Sequence, residues 1–188
     1  MSVDAATVAA VLAHAEAQPP SLGDGRLICI DGPAGSGKTT LASAVAEATG
    51  ARVLQMDDQY EGWQGLGDAP ARIRDEILAP LADGIPGFYR RYDWDRNEFA
   101  ELHVVEPSDL LVLEGVGSGS REIEAFRATL VWVTAGADLR IERGPARDGE
   151  ENRDKWLRWM DDEQAHFARH GSREAADLVV DATGNVVP

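Results

Sequence analysis

Cysteine occurs once in the 188 residues, at Cys29, so no disulfide can form within the chain. Its place in an apolar segment marks an inert core thiol. Lysine occurs only twice, at Lys38 and Lys155, and acids outnumber bases so far that the net charge is −15. That charge opposes general binding to nucleic acid or to anionic membrane, because affinity for polyanions depends on basic patches. No apolar run approaches the ~20 residues needed to cross a bilayer. The start of the chain, with Asp4, Glu16 and no basic stretch, does not read as a secretion signal. The expected compartment is the cytoplasm. The expected partner is a small molecule, with no nucleic acid and no membrane, and a homo-oligomer remains compatible with the sequence.

What is present describes an ordinary globule, 44% hydrophobic and 27% charged, of a length that fits one domain spanning residues 1–188. An alanine-rich helix over Val3 to Gln18 ends at Pro19-Pro20. Apolar strands are expected at Arg26 to Asp31, Arg52 to Met56, Asp109 to Glu114, Thr129 to Val133 and Leu178 to Asp181. Helices are expected at Lys38 to Thr49, Pro70 to Ala82, Arg121 to Arg127, Ala137 to Arg147 and Asn152 to His170. Tyr60 to Asp68 reads as a loop. Phe88 to Trp94 and Ala100 to Val105 read as a small hairpin. Apolar strands alternating with helices predict an α/β fold with a mostly parallel, about five-stranded sheet covered on both faces.

Gly32 to Thr39 reads GPAGSGKT and matches the pattern G-x-x-x-x-G-K-[ST] directly after an apolar strand. A strand feeding a glycine loop feeding a helix aims backbone N–H groups and the helix N-terminus at one anion. Gly32, Pro33, Ala34, Gly35, Ser36, Gly37, Lys38, Thr39 and Thr40 therefore form the expected triphosphate cradle. Lys38 would reach the β- and γ-phosphates and Thr39 would meet Mg²⁺. The expected fold is the three-layer P-loop NTPase fold, and the expected ligand is ATP with Mg²⁺. Because the molecule is so acidic, loop amides, a metal and a few cations must reverse the sign of the potential locally.

Ligands of open parallel sheets bind beyond the carboxyl ends of the strands. Asp57, Asp58 and Glu114 lie there. Glu114 closes an apolar strand and would organise the metal with Thr39. Asp57 suits the task of orienting an acceptor hydroxyl and taking its proton, while Asp58 is either a helper or a loop cap. Arg140, Arg143, Arg147 and Arg153 surround Gly144-Pro145, a break that predicts a mobile cationic lid over about residues 140–153. His166 and His170, spaced i, i+4, read as a solvated helix face. Trp156 and Trp159 fall at helical spacing and read as core. Trp63, Trp94, Phe88 and Tyr89 could stack against an acceptor or close the underside of the hairpin.

GPAGSGKTT, then MDDQY, RRYDW, VLEG and the arginine stretch LRIERGPARD resemble, in order and spacing, the uridine kinase group of P-loop kinases. AADLVVD resembles that group's last strand, so the likeness covers about Arg26 to Thr183. It implies an ATP-dependent kinase acting on a nucleoside such as uridine. Kinases of pantothenate, glycerate or other sugar-type acceptors use similar parts, and a nucleotide-binding regulator with slow turnover is the non-kinase alternative. By resemblance Asp57 is the catalytic aspartate, with Lys38 assisting. Asp93 would hold ribose hydroxyls, Tyr60 and Arg91 would line the acceptor pocket, and Arg143 and Arg147 would clamp phosphates. Two departures stand out. Trp94-Asp95 occupies the place of the group's His-Pro, and Leu102-His103-Val104 is a poor counterpart to its pyrimidine-contacting segment.

Overall fold

Alternating side chains along the first strand, β1 (Arg26–Asp31), divide the core in two. Leu27 and Cys29 join one apolar cluster, and Ile28 and Ile30 join the other. Strands so used must be apolar on both faces. The computed structural model describes residues 3–187, with every side chain among them except that of Arg147.

The first helix, α1 (Ala5–Ala17), is capped by Asp4, whose carboxylate accepts from Ala6 N at 3.1 Å. Its buried residues Val8, Val11 and Ala15 pack with Leu41 and Val45 of α2 (Lys38–Thr49) on one face of the sheet. The sheet continues through β2 (Arg52–Gln55). Next come α3 (Ala69–Ile73), a π turn at Arg74–Leu78, and α4 (Ala79–Ala82), so the expected helix over this stretch is present but interrupted. An antiparallel hairpin follows, β3 (Gly87–Asp93) with β4 (Glu98–Val105). The chain returns to the main sheet as β5 (Leu110–Glu114) and β6 (Thr129–Val133), then forms α5 (Ala137–Asp148) and α6 (Arg153–His170). It closes with β7 (Leu178–Val180) and β8 (Val186–Val187).

The six strands lie in the order β2-β5-β1-β6-β7-β8, the first five parallel and β8 antiparallel to β7. The five parallel strands match the expectation. The two-residue edge strand β8 is an addition too short to show a period. Three other elements differ from the sequence reading. Residues 121–127 form turns and a 3₁₀ turn at Glu124–Phe126, not a helix. Gly62–Gly67 is a 3₁₀ turn, not an open loop. The Gly144-Pro145 pair does not break the chain, since α5 runs through it and the positive-φ step falls at Gly149.

Register brings the site together. Ile30 of β1 pairs with Glu114 of β5, and Glu114 pairs with Gln55 of β2. The residues just beyond, Gly32, Asp57 and Gly115, therefore emerge side by side at one sheet edge.

Candidate active site

The glycine loop leaves β1 at Gly32, whose φ is +140°. A Cβ there would lie 2.2 Å from the carbonyl oxygen of Val133, so only glycine lets the loop pass over β6. Asp31, fully buried, organises this exit. Its Oδ1 accepts from Gly32 N at 2.7 Å and Gly117 N at 3.0 Å, and its Oδ2 accepts from Gly119 N at 2.9 Å. Burial pushes the Asp31 carboxyl up, while those three amides and Lys38 hold it down. Asp31 thus ties the glycine loop to the loop after β5.

Lys38 is nearly buried, and its Nζ donates to the Pro33 carbonyl at 3.0 Å. Thr39 Oγ1 donates to Glu114 Oε1 at 3.0 Å, which puts the two expected metal-organising residues in contact. A hydroxyl beside a carboxylate is an oxygen donor set suited to a hard divalent cation such as Mg²⁺. Among the described residues there is no cluster of three His, Cys, Asp or Glu that could hold a metal without help from a ligand.

A cavity of about 870 Å³ runs along these groups. Gly35, Lys38, Thr39, Glu114, Asp57, Tyr60, Trp63 and Trp94 are among the residues lining it. Asp57 is exposed at the end of β2 on a short 3₁₀ turn, Met56–Asp58. Asp58 turns the other way and accepts from Tyr89 Oη at 3.4 Å, anchoring the hairpin. Burial raises its carboxyl above the ordinary range.

Arg143 of α5 lines the cavity and donates to the Gly35 carbonyl at 3.2 Å. Arg147 belongs to the same helix, but its side chain lies outside the described part of the structure. Arg91 and Asp93 are not among the cavity residues. Arg91 is held by Glu101 across the hairpin and lies 3.5 Å from Asp93. Asp93 Oδ1 accepts from Asp95 N and Arg96 N, both at 3.1 Å, and so caps the hairpin turn. Those amides lead the causes that lower its carboxyl pKa.

The face of α6 holds what sequence reasoning missed. Trp156, Trp159, Glu163 and His166 are buried on one helical stripe. Glu163 Oε2 accepts from Ala34 N in the glycine loop at 2.8 Å, and Oε1 pairs with Arg140 of α5. Burial raises its carboxyl, against the opposing pull of Ala34 N–H and Arg140. His166 is buried rather than solvated, with Nε2 2.8 Å from Ser120 Oγ. Since that hydroxyl donates to Gly117 O at 2.6 Å, the imidazole carries the proton of the shared bond. His170 packs beside it, 4.2 Å between ring centres, and faces Glu122. The available signal was spacing: Glu163 and His166 continue the apolar stripe begun by Trp156 and Trp159.

The family model described as an AAA domain matches residues 28–169, from β1 through nearly all of α6. The chain belongs to the AAA-domain family. The matched stretch includes the glycine loop and Lys38. No curated protein matches the sequence. Among solved structures, the AAA-domain chain is similar to a "possible uridine kinase" from Bacillus stearothermophilus, with a TM-score of 0.67 and 18% identity, covering 93% of this chain and 97% of that one. It is also similar to a protein provisionally assigned as a fructose transport system kinase from Silicibacter sp. TM1040. There the TM-score is 0.59 and the identity 20%, with 90% and 94% covered. At these identities the likeness establishes a fold, that of uridine kinase-like P-loop proteins.

Proposed function

We propose that this protein is a kinase that transfers the γ-phosphoryl group of ATP to a hydroxyl of a small molecule. One observation carries the reading: β1, β2 and β5 end in register, so phosphate loop, Thr39–Glu114 pair and Asp57 share one cavity. A regulator that only senses nucleotide needs no carboxylate such as Asp57 in that cavity. Asp57 orients the acceptor hydroxyl and receives its proton. Lys38 and Arg143 neutralise charge on the phosphates. Mg²⁺, held by Thr39 and Glu114 with the nucleotide, supplies further charge neutralisation when bound.

Two acceptor classes follow from the sequence: a nucleoside, or another small alcohol. Arg91 and Asp93 are engaged within the hairpin and are not among the residues lining the cavity, which favours the second. The test is ADP release over a panel of hydroxyl compounds, repeated with Asp57→Asn. The variant should bind MgATP with near-unchanged affinity and lose about a hundredfold or more in kcat. Undiminished turnover by the variant would remove Asp57 from the mechanism.

A further inference from the structure

Asp57 sits on a turn of three residues, Met56–Asp58, closed by a main-chain bond from Gln59 N to the Met56 carbonyl at 2.8 Å. Met56 is buried, whereas Asp57 is exposed, so burial contributes little to its aim. The hairpin supplies further ties. Tyr89 Oη donates to the Asp58 carboxylate, and the indole Nε1–H of Trp94 donates to the main-chain carbonyl of Asp57 at 3.1 Å. The second bond joins residues 37 positions apart. It engages the backbone of Asp57, not its carboxylate.

Trp94 makes that bond from a fixed place. It is the first residue after β3, in a turn whose amides at Asp95 and Arg96 donate to Asp93 Oδ1, each at 3.1 Å. Asn97 ends the turn with a left-handed φ of +56°, and its Oδ1 accepts from Tyr92 Oη at 2.8 Å. The indole ring meets Tyr92 edge-on, 5.5 Å between centres at 84°, and Trp63 likewise, 5.7 Å at 75°. Though 40% exposed, Trp94 is thus braced by the hairpin and by the Gly62–Gly67 turn that carries Trp63. A carbonyl held by a donor fixes its peptide plane, and that plane sets the direction in which the Asp57 side chain leaves the backbone. A base must lie within hydrogen-bond reach of the proton it takes, and a misplacement of about 1 Å can cost about a hundredfold in rate. Trp94 and Asp57 line the same cavity, so brace and base face the same ligand.

We propose that Trp94 is a positioning residue for phosphoryl transfer, aiming the Asp57 carboxylate through the bond from its indole N–H to the Asp57 carbonyl. This rests on the kinase reading above and adds the group that orients its base. The acceptor oxygen forms a bond to the γ-phosphorus as the bond from that phosphorus to the ADP oxygen breaks, and the hydroxyl proton passes to Asp57. Trp94 itself gains and loses nothing in the step.

The test removes the N–H and keeps the ring. In the full chain Trp94 is replaced by benzothienylalanine, in which sulfur stands where indole has N–H, and Trp94→Phe serves as a second variant. With the alcohol that ADP release identifies as acceptor, both should lower kcat about tenfold or more, with KM for MgATP unchanged and native circular dichroism. In an Asp57→Asn background the same replacement should change kcat by no more than about twofold, because the residue it acts through is already disabled. Equal losses in both backgrounds would show a purely structural role and overturn the proposal. Full kcat in the benzothienylalanine variant would overturn it too, and either result leaves the kinase reading standing. A readout independent of turnover is the indole N–H resonance that Trp94→Phe removes. In the wild type this proton should exchange with water about tenfold or more slower than in free indole, and exchange at the free rate would overturn the bond itself. A protected N–H in protein that binds MgATP but transfers phosphate to no alcohol would sink the kinase reading, and the positioning role with it.

Discussion

A Glu163→Gln substitution leaves an acceptor for the Ala34 amide but withdraws the negative charge that faces Arg140. The guanidinium, left uncompensated beside the phosphate loop, should hold or lower the KM for MgATP. The loosened join between loop and α5 should lower kcat roughly tenfold or more. A residue with only a structural role would lower the melting temperature without this split between KM and kcat. Side chains such as these mark how far the sequence could be read at this scale. The glycine loop was easy to locate because its pattern is written in consecutive residues, and strand-end logic put Glu114 at the same end of the sheet. Glu163 meets Ala34 across 129 positions, and Asp31 meets Gly117 and Gly119 across 86 and 88. No local pattern announces such pairs, although a charged residue on an apolar helical stripe is a usable hint.

Elements differed in legibility for reasons of length and cooperativity. β1, β5 and β6 stood out because strands buried on both faces are continuous apolar runs. Residues 121–127 are too few to nucleate a helix alone, and the stretch settles into turns after a loop whose amides are drawn to Asp31. Gly144-Pro145 reads as a break by propensity, yet α5 continues through it because Gly144 lies flat on Trp156. A Cβ at Gly144 would approach Trp156 Cε2 to 2.0 Å. In an open helix, glycine to alanine stabilises by about 1 kcal/mol. Here Gly144→Ala should instead destabilise by about 1–3 kcal/mol through overpacking. A lowered denaturant midpoint with altered tryptophan emission is the expected result, and a raised midpoint would show that α5 does not press on α6 as described.

The whole molecule carries a net charge of −15, and its response to acid holds an identifiable contribution from one buried imidazole. Burial, with His170 adding to it, lowers the His166 pKa from 6.5 to about 4. Between those values the unfolded chain takes up a proton that the folded one refuses. The stability from His166 is therefore complete above pH 6.5 and is lost as pH falls toward 4, on the order of 3 kcal/mol at 1.36 kcal/mol per unit. Asp31 and Glu163, raised by burial, act in the opposite sense, so the contribution is read as a difference. Thermal unfolding of the wild type should lose stability relative to His166→Gln as pH drops from 6.5 to 4, and parallel curves would refute it. At this scale the parallel α/β architecture was evident from the order of apolar strands and helices. The cavity's aromatic lining was not, because it joins side chains from the Gly62–Gly67 turn, the hairpin and α6 that only folding assembles. Among the described residues no helix is long and apolar enough to cross a membrane. The central claim is that backbone amides, Lys38 and Arg143 make an anion site on an acidic protein. Isothermal calorimetry with magnesium-complexed ATP tests it most directly. Saturable heat with a micromolar dissociation constant, weakened about a hundredfold in Lys38→Ala, is the expected result, and no heat at millimolar nucleotide would contradict the account.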